Sequence, residues 1–281
     1  MITTTTSQEA RVPDQALRRT YVDTSWGQVH AVTAGTSGPW IGLLHESPLS
    51  SEVWLDVVRA LADRARVVAF DTPGYGASAP PPGPGHEIPE YAAVLAEAVE
   101  GLGMTDPVFA GVHTGASIAV ELAHLVPQTR GVVLSGIALL SEEQRAEFIA
   151  GWTPPVPTDT EGAQFGWAVE RYRRIWPDIT PEMLHVAVTQ VLRVKDRYHW
   201  GYQAAFRHDP AEPLGRLKLP ILLLDPEFDM LAFADEIALR LAPHARLEVM
   251  PGLQGQPHLR APGAYADALI AFAAECAGGA A

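Results

Sequence analysis

Cysteine is almost absent from this sequence. Cys276 stands alone, which excludes a disulfide framework and a cluster of thiolate ligands and fits a reducing compartment. Cationic side chains are also scarce: 20 Lys and Arg face 33 Asp and Glu, and the formal charge of −13 argues against a nucleic-acid surface. No apolar run reaches the roughly 18 residues of a membrane-spanning helix. The start, from Met1 to Ser7, has neither the basic residues nor the apolar stretch of an export signal. The expectation is a cytoplasmic protein without a membrane anchor. Nucleotide motifs are missing as well, since Gly74-Tyr75-Gly76 lacks the third glycine of a dinucleotide fingerprint and no Gly-x-x-x-x-Gly-Lys loop occurs. His30, His86, His124, His185, His199, His208 and His244 lack the spacing of metal ligands, so neither a metal nor a cofactor is expected. The expected partner is a small-molecule substrate, with the chain a monomer or a homodimer.

What is present is a large apolar fraction, 47%, arranged as short strand-like runs separated by helix-like segments. After a polar leader to about Gln15, Arg18–Asp23 and Gln28–Thr33 flank Ser25-Trp26-Gly27 as a hairpin. Trp40–Leu44, Arg66–Phe70, Val108–Val112, Gly131–Ser135, Pro220–Leu224 and Arg246–Met250 read as buried strands. The segments between them carry helical spacing, and the alternation predicts an α/β fold: a mostly parallel sheet covered by helices on both faces. From Leu139 to Pro210 the strand-like runs stop. There the sequence is helical in pattern and rich in aromatics, including Phe165, Trp167, Tyr172, Trp176, Tyr198, Trp200, Tyr202 and Phe206. Most of these are expected to be packing residues, with one or two lining a cavity.

The most informative stretch is Gly111-Val112-His113-Thr114-Gly115, between a strand and a helix. Small residues at Gly111, Gly115 and Ala116 allow a sharp turn that lifts one side chain, His113, above the strand end. This quintet, together with Asp71-Thr72-Pro73-Gly74-Tyr75-Gly76-Ala77-Ser78, resembles the α/β-hydrolase superfamily, with a histidine in the place of the elbow serine. The resemblance covers nearly the whole chain after the leader. It implies an eight-stranded-type sheet, with a hydrolase core over 1–138 and 211–281 and an inserted helical cap over 139–210.

The resemblance also assigns roles. Asp229, after the penultimate strand, falls at the position of the orienting acid, or else caps the following helix. On the last loop, Gly255 or Gln256 stands where the family carries its histidine, and His258 comes two or three residues late. A bulged loop would bring His258 to Asp229 as the base; otherwise it is a surface residue near a helix start. The amide of Thr114 and that of Ser47, which follows His45-Glu46, are the oxyanion donors the resemblance implies. Glu46 departs from the pattern. Facing inward and ionised it would oppose an oxyanion by about 4 kcal/mol at 4 Å and an effective dielectric of 20, yet beside His113 it would form an acid/base pair; alternatively it points to solvent or accepts backbone N–H bonds. His113 itself is read as a general base, as the filler of an inactive elbow, or as a nucleophile.

Three functions follow. One is cofactor-independent hydrolysis of an ester, lactone or thioester of a small apolar molecule. A second is an elimination, isomerisation or cyclisation in secondary metabolism with His113 as base, and the third is ligand binding without turnover. An inward Glu46 favours the second, and paired amides of Ser47 and Thr114 facing one spot favour the first.

Overall fold

The computed structural model describes residues 17–278, so the polar leader and the export reading of the first residues lie outside the described residues. Eight strands form one sheet in the order β1-β2-β4-β3-β5-β6-β7-β8. They are β1 (Arg18–Thr24), β2 (Gly27–Ala34), β3 (Trp40–Leu44), β4 (Arg66–Phe70), β5 (Val108–Val112), β6 (Gly131–Ser135), β7 (Ile221–Phe228) and β8 (Arg246–Gln254). The β1–β2 hairpin and the β2–β4 pair are antiparallel, and every later pair is parallel. This is the mostly parallel α/β sheet that the strand-helix alternation implies.

The central strands are continuous apolar runs because both of their faces are covered. Their side chains alternate between two cores: Val108, Ala110 and Val112 enter one and Phe109 the other, and Leu222 and Leu224 divide from Ile221 and Leu223 in the same way. The first core is completed by α1 (Leu55–Leu61) and α11 (Pro262–Gly278), and the second by α2 (Ile88–Gly101), α3 (Thr114–Leu125), α8 (Ala211–Arg216) and α9 (Asp235–Leu241). Each side of the sheet thus buries one stripe of each helix.

Between β6 and β7 lie α4 (Glu142–Gly151), α5 (Ala163–Ile175), α6 (Pro181–Arg193) and α7 (His199–Arg207), ahead of α8. Local chemistry starts two of them: Ser141 and Gln144 form a reciprocal capping box on α4, and Thr180 caps α6 with Pro181 in its first turn. The two last strands run further than expected, to Phe228 and Gln254. Asp225 and Pro226 pair with Val249 and Met250, and Phe228 with Gln254 across a bulge, so pairing overrides the turn-like Asp-Pro-Glu sequence. Among the described residues no helix is long and apolar enough to cross a membrane.

Candidate active site

His113 joins β5 to α3 with φ 49° and ψ −109°, a conformation that costs a non-glycine residue about 1–3 kcal/mol. The two flanking glycines make that turn sterically feasible. A Cβ at Gly111 would lie 2.1 Å from the Gly115 carbonyl oxygen, and one at Gly115 would lie 2.1 Å from the Leu44 carbonyl oxygen. The His113 amide donates to Ser135 O at 2.8 Å, tying the elbow to β6. The turn therefore presents the imidazole above the parallel strands' carboxyl ends, where open α/β sheets place their ligands.

The imidazole meets the acid. His113 Nε2 lies 3.1 Å and 3.3 Å from the two carboxylate oxygens of Asp229, which also accepts the Leu231 amide at 2.8 Å. Burial opposes charge on both groups. On Asp229 the His113 imidazole and the Leu231 amide outweigh it and hold the carboxyl below its usual range. On His113, burial is outweighed by Asp229 first and then by Glu46 and Asp225, which together raise the imidazole to about 9. Nδ1 makes no hydrogen bond among the described residues and is the ring atom left for a substrate.

Glu46 extends the chain past β3 and is 3% exposed. It lines the same cavity as His113, and neither carboxylate oxygen has a hydrogen-bond partner among the described residues. The solvent-facing alternative for Glu46 therefore does not hold. The backbone explains why: the Glu46 carbonyl accepts from His45 Nδ1 at 2.9 Å and the Leu49 amide at 3.0 Å, and the side chain turns inward. Burial raises the Glu46 carboxyl to about 7, against the lowering effect of nearby His113. His45 is structural, accepting the Thr72 amide on Nε2 at 3.0 Å. Asp71 organises that loop, taking His30 Nδ1 at 2.8 Å, the Ser51 amide at 2.6 Å and the Ala77 amide at 2.7 Å.

Ser47 and Thr114 both line the cavity, and the amide of neither makes a hydrogen bond among the described residues. Thr114 opens α3, so its amide has no acceptor within the helix. His258 is in neither place its sequence position suggested: it does not reach Asp229 and is not on the surface. It is 0% exposed, its ring tilted at 37° to that of Trp54 with 4.4 Å between ring centres, and its Nε2 lies 3.5 Å from a Glu46 oxygen. The cause is Gln256, which takes a left-handed conformation (φ 59°, ψ 57°) ahead of α10 (Pro257–Arg260) and itself lines the cavity. Two residues further on, the His258 ring is carried away from Asp229, and its pKa falls to about 3 through burial, His113 and His45.

The cavity measures about 450 Å³. Glu46, Ser47, His113, Thr114, Asp229 and Gln256 supply its polar end; Phe148, Trp152, Tyr172, Trp176, Tyr202 and Phe206 wall the remainder. More aromatics line it than the one or two expected. Phe148 and Trp152 are wall residues the sequence reading passed over, although their i, i+4 spacing on α4 and its end is a face signal. Also unforeseen is Asp225, buried behind the site, with one oxygen accepting the Gly136 amide at 2.5 Å. Burial, then Asp235 and Asp229, push its carboxyl well above the usual range.

Comparison with known proteins agrees with this architecture. The model described as "Alpha/beta hydrolase family" matches residues 30–268. Haloalkane dehalogenase 2 of Mycobacterium tuberculosis is 40% identical over 115 residues, covering 41% of this chain and 40% of the relative. The chain thus spans well under half the length of the first curated relatives it matches. A non-heme haloperoxidase of Rhodococcus erythropolis is 28% identical over 248 residues, covering 77% of this chain and 85% of the relative. A thermophilic esterase from Thermogutta terrifontis shares the fold, with a TM-score of 0.73 at 21% identity, covering 92% of this chain and 99% of that one. With the family match running from β2 into α11 across every strand that builds the cavity, the chain belongs to the alpha/beta hydrolase family.

Proposed function

We propose that this protein hydrolyses an ester, lactone or thioester of a small, largely apolar molecule by direct attack of water, with Glu46 as general base and the His113 imidazolium as electrophile. The observation that carries the reading is Glu46: a buried carboxyl in the cavity whose oxygens have no hydrogen-bond partner within bonding distance among the described residues, with a pKa of about 7, beside a histidine raised to about 9. Near neutral pH such a pair contains a competent base and a cation at once. His113 is then the wrong protonation state for a base, and its Nδ1–H is a donor aimed at the substrate.

In this reading the substrate carbonyl oxygen receives hydrogen bonds from His113 Nδ1–H and the Thr114 and Ser47 amides. Glu46 takes a proton from water as the water oxygen bonds to the carbonyl carbon. The carboxyl is neutral when the oxyanion forms, which removes the repulsion an ionised Glu46 would exert. Collapse breaks the bond to the leaving group, which takes the Glu46 proton and departs as alcohol or thiol. Asp229 keeps the imidazole charged throughout, and residues 139–210 act as the cap whose aromatics exclude bulk water.

A second reading uses the same residues: the inward Glu46 removes a C–H proton next to a carbonyl polarised by His113, giving isomerisation or elimination. Both are tested on one panel of activated esters, thioesters, lactones and enolisable ketones in ¹⁸O water and in D₂O. The expected result is one ¹⁸O in each product acid, no acyl adduct on the protein by mass spectrometry, and a bell-shaped kcat with apparent limbs near pH 7 and 9. His113→Ala and Glu46→Gln, checked for folding by thermal melting, should each lose about 10²–10⁴-fold in kcat. A rate that climbs through pH 9 would return the base to His113, and an acyl adduct on His113 would make it a nucleophile. Deuterium incorporation without hydrolysis selects the second reading.

A further inference from the structure

His258 has no role in that mechanism, yet the fold spends much to bury it. It is 0% exposed, and neither ring nitrogen has a hydrogen-bond partner among the described residues. A Glu46 oxygen 3.5 Å from Nε2 is equally unsatisfied. Leaving a buried donor or acceptor unpaired forfeits its hydrogen bonds to water without replacement. The Trp54 ring at 4.4 Å and Tyr265 at 6.4 Å fix the imidazole plane from behind. His258 does not line the cavity; it stands behind Glu46, which with Asp229 does. Two carboxylate–imidazole couples, His113 with Asp229 and His258 with Glu46, therefore meet at this site.

Resting on the proposed role of Glu46, we infer that His258 is a positioning residue for it: Nε2 holds the facing carboxyl oxygen, and the neutral ring changes tautomer whenever Glu46 gains or loses its proton. With Glu46 protonated, the carboxyl O–H donates to Nε2 and the ring proton sits on Nδ1. With Glu46 ionised, the ring proton sits on Nε2 and donates to the carboxylate. A small rotation of the Glu46 carboxyl aligns either bond. Histidine suits this part because either nitrogen can be the donor, so one residue serves both states of the base.

The surroundings keep His258 neutral while Glu46 titrates. Burial lowers it most, and His113 and His45 lower it further, to about 3. Glu46 is faced by His113 on the elbow, Asp229 after β7, Tyr172 on α5, Tyr202 on α7 and Tyr265 on α11. The tyrosines are all raised above their ordinary value and stay neutral. Asp229 is ionised, His113 is charged up to about pH 9, and burial holds His45 below its usual range with its Nε2 accepting the Thr72 amide, so around pH 7 Glu46 is the group facing His258 that changes charge.

The test needs no substrate. The ¹⁵N resonances of the two His258 ring nitrogens are followed from pH 5 to 9 in ¹⁵N-histidine-labelled protein and in Glu46→Gln. The expected result is a neutral ring throughout, a switch from the Nδ1–H to the Nε2–H form with a midpoint near pH 7, and no switch in Glu46→Gln. A single tautomer across the range, protonation to imidazolium, or a switch that persists in Glu46→Gln would each overturn the proposal. Because the readout is spectroscopic, a switch found in a protein inactive on the hydrolysis panel would sink the hydrolytic reading and leave this one standing. Activity with a fixed tautomer would do the reverse.

Discussion

At the scale of single residues, Glu46 is where stability and chemistry oppose each other. In the folded protein its carboxyl keeps a proton up to about pH 7, whereas an unfolded chain releases it near 4.5. A raised carboxyl pKa favours the protonated form in the fold. Its contribution is complete below pH 4.5 and is lost as pH rises to 7, a loss on the order of 3 kcal/mol. Glu46→Gln keeps the shape and removes the titration. The variant should therefore melt at a higher temperature than wild type at pH 8, with the two converging at pH 4 to 5, while losing activity. Equal melting temperatures at pH 8 would mean that the ionised carboxylate is well satisfied in the fold. His113 runs in the same direction at higher pH: its stabilising interaction with Asp229 is fully present below pH 6.5 and is lost as pH rises through about 9.

At the scale of elements, the strand-turn-helix elbow is held by backbone contact. A Cβ on Gly115 would sit 2.1 Å from Leu44 O and 2.9 Å from His45 O, so α3 could not keep its distance from β3. Gly115→Ala should cost more than about 3 kcal/mol in denaturant unfolding, since rigid backbone has to move. It should also displace His113 and abolish turnover. Ser117→Ala on the same helix is the control. Ser117 is buried with an unbonded hydroxyl, so the change should be neutral or slightly stabilising. A mild Gly115→Ala would mean that the elbow is plastic. The elbow was legible in the sequence because glycine spacing reports steric need directly. So were the central strands, whose apolar runs record burial on both faces. Other features depended on contacts distant in sequence. The inward turn of Glu46 depends on His45 and Leu49 taking its carbonyl. The burial of His258 depends on the left-handed Gln256. The extension of β7 through Asp225-Pro226 depends on its pairing with β8, which local propensity opposes.

At the scale of the whole molecule, the question is whether the α4–α7 segment moves as a unit over the sheet. Its inner side is continuous with one of the two cores, since Tyr172, Trp176, Met183 and Val191 share a cluster with Leu43, Val112 and Leu224. Its outer attachment is polar and local. The Arg260 guanidinium donates to Gly255 O at 2.8 Å, to Asp178 O at 3.2 Å and to Pro177 O at 2.5 Å, binding the α5–α6 turn to the loop that carries Gln256. Pro177, Gly255 and Gln256 also form one rim of the cavity. Removing the side chain frees three carbonyls that lie near solvent, so the loss is local. Arg260→Ala should raise amide hydrogen exchange in residues 175–181 several-fold and leave β5 and β6 protected as in wild type. On the hydrolysis proposed above, it should alter KM more than kcat, because Glu46 and His113 stay in place while the rim over the cavity loosens. Uniformly faster exchange across the sheet would show that α4–α7 and the sheet open together, as their shared apolar cluster would then dictate.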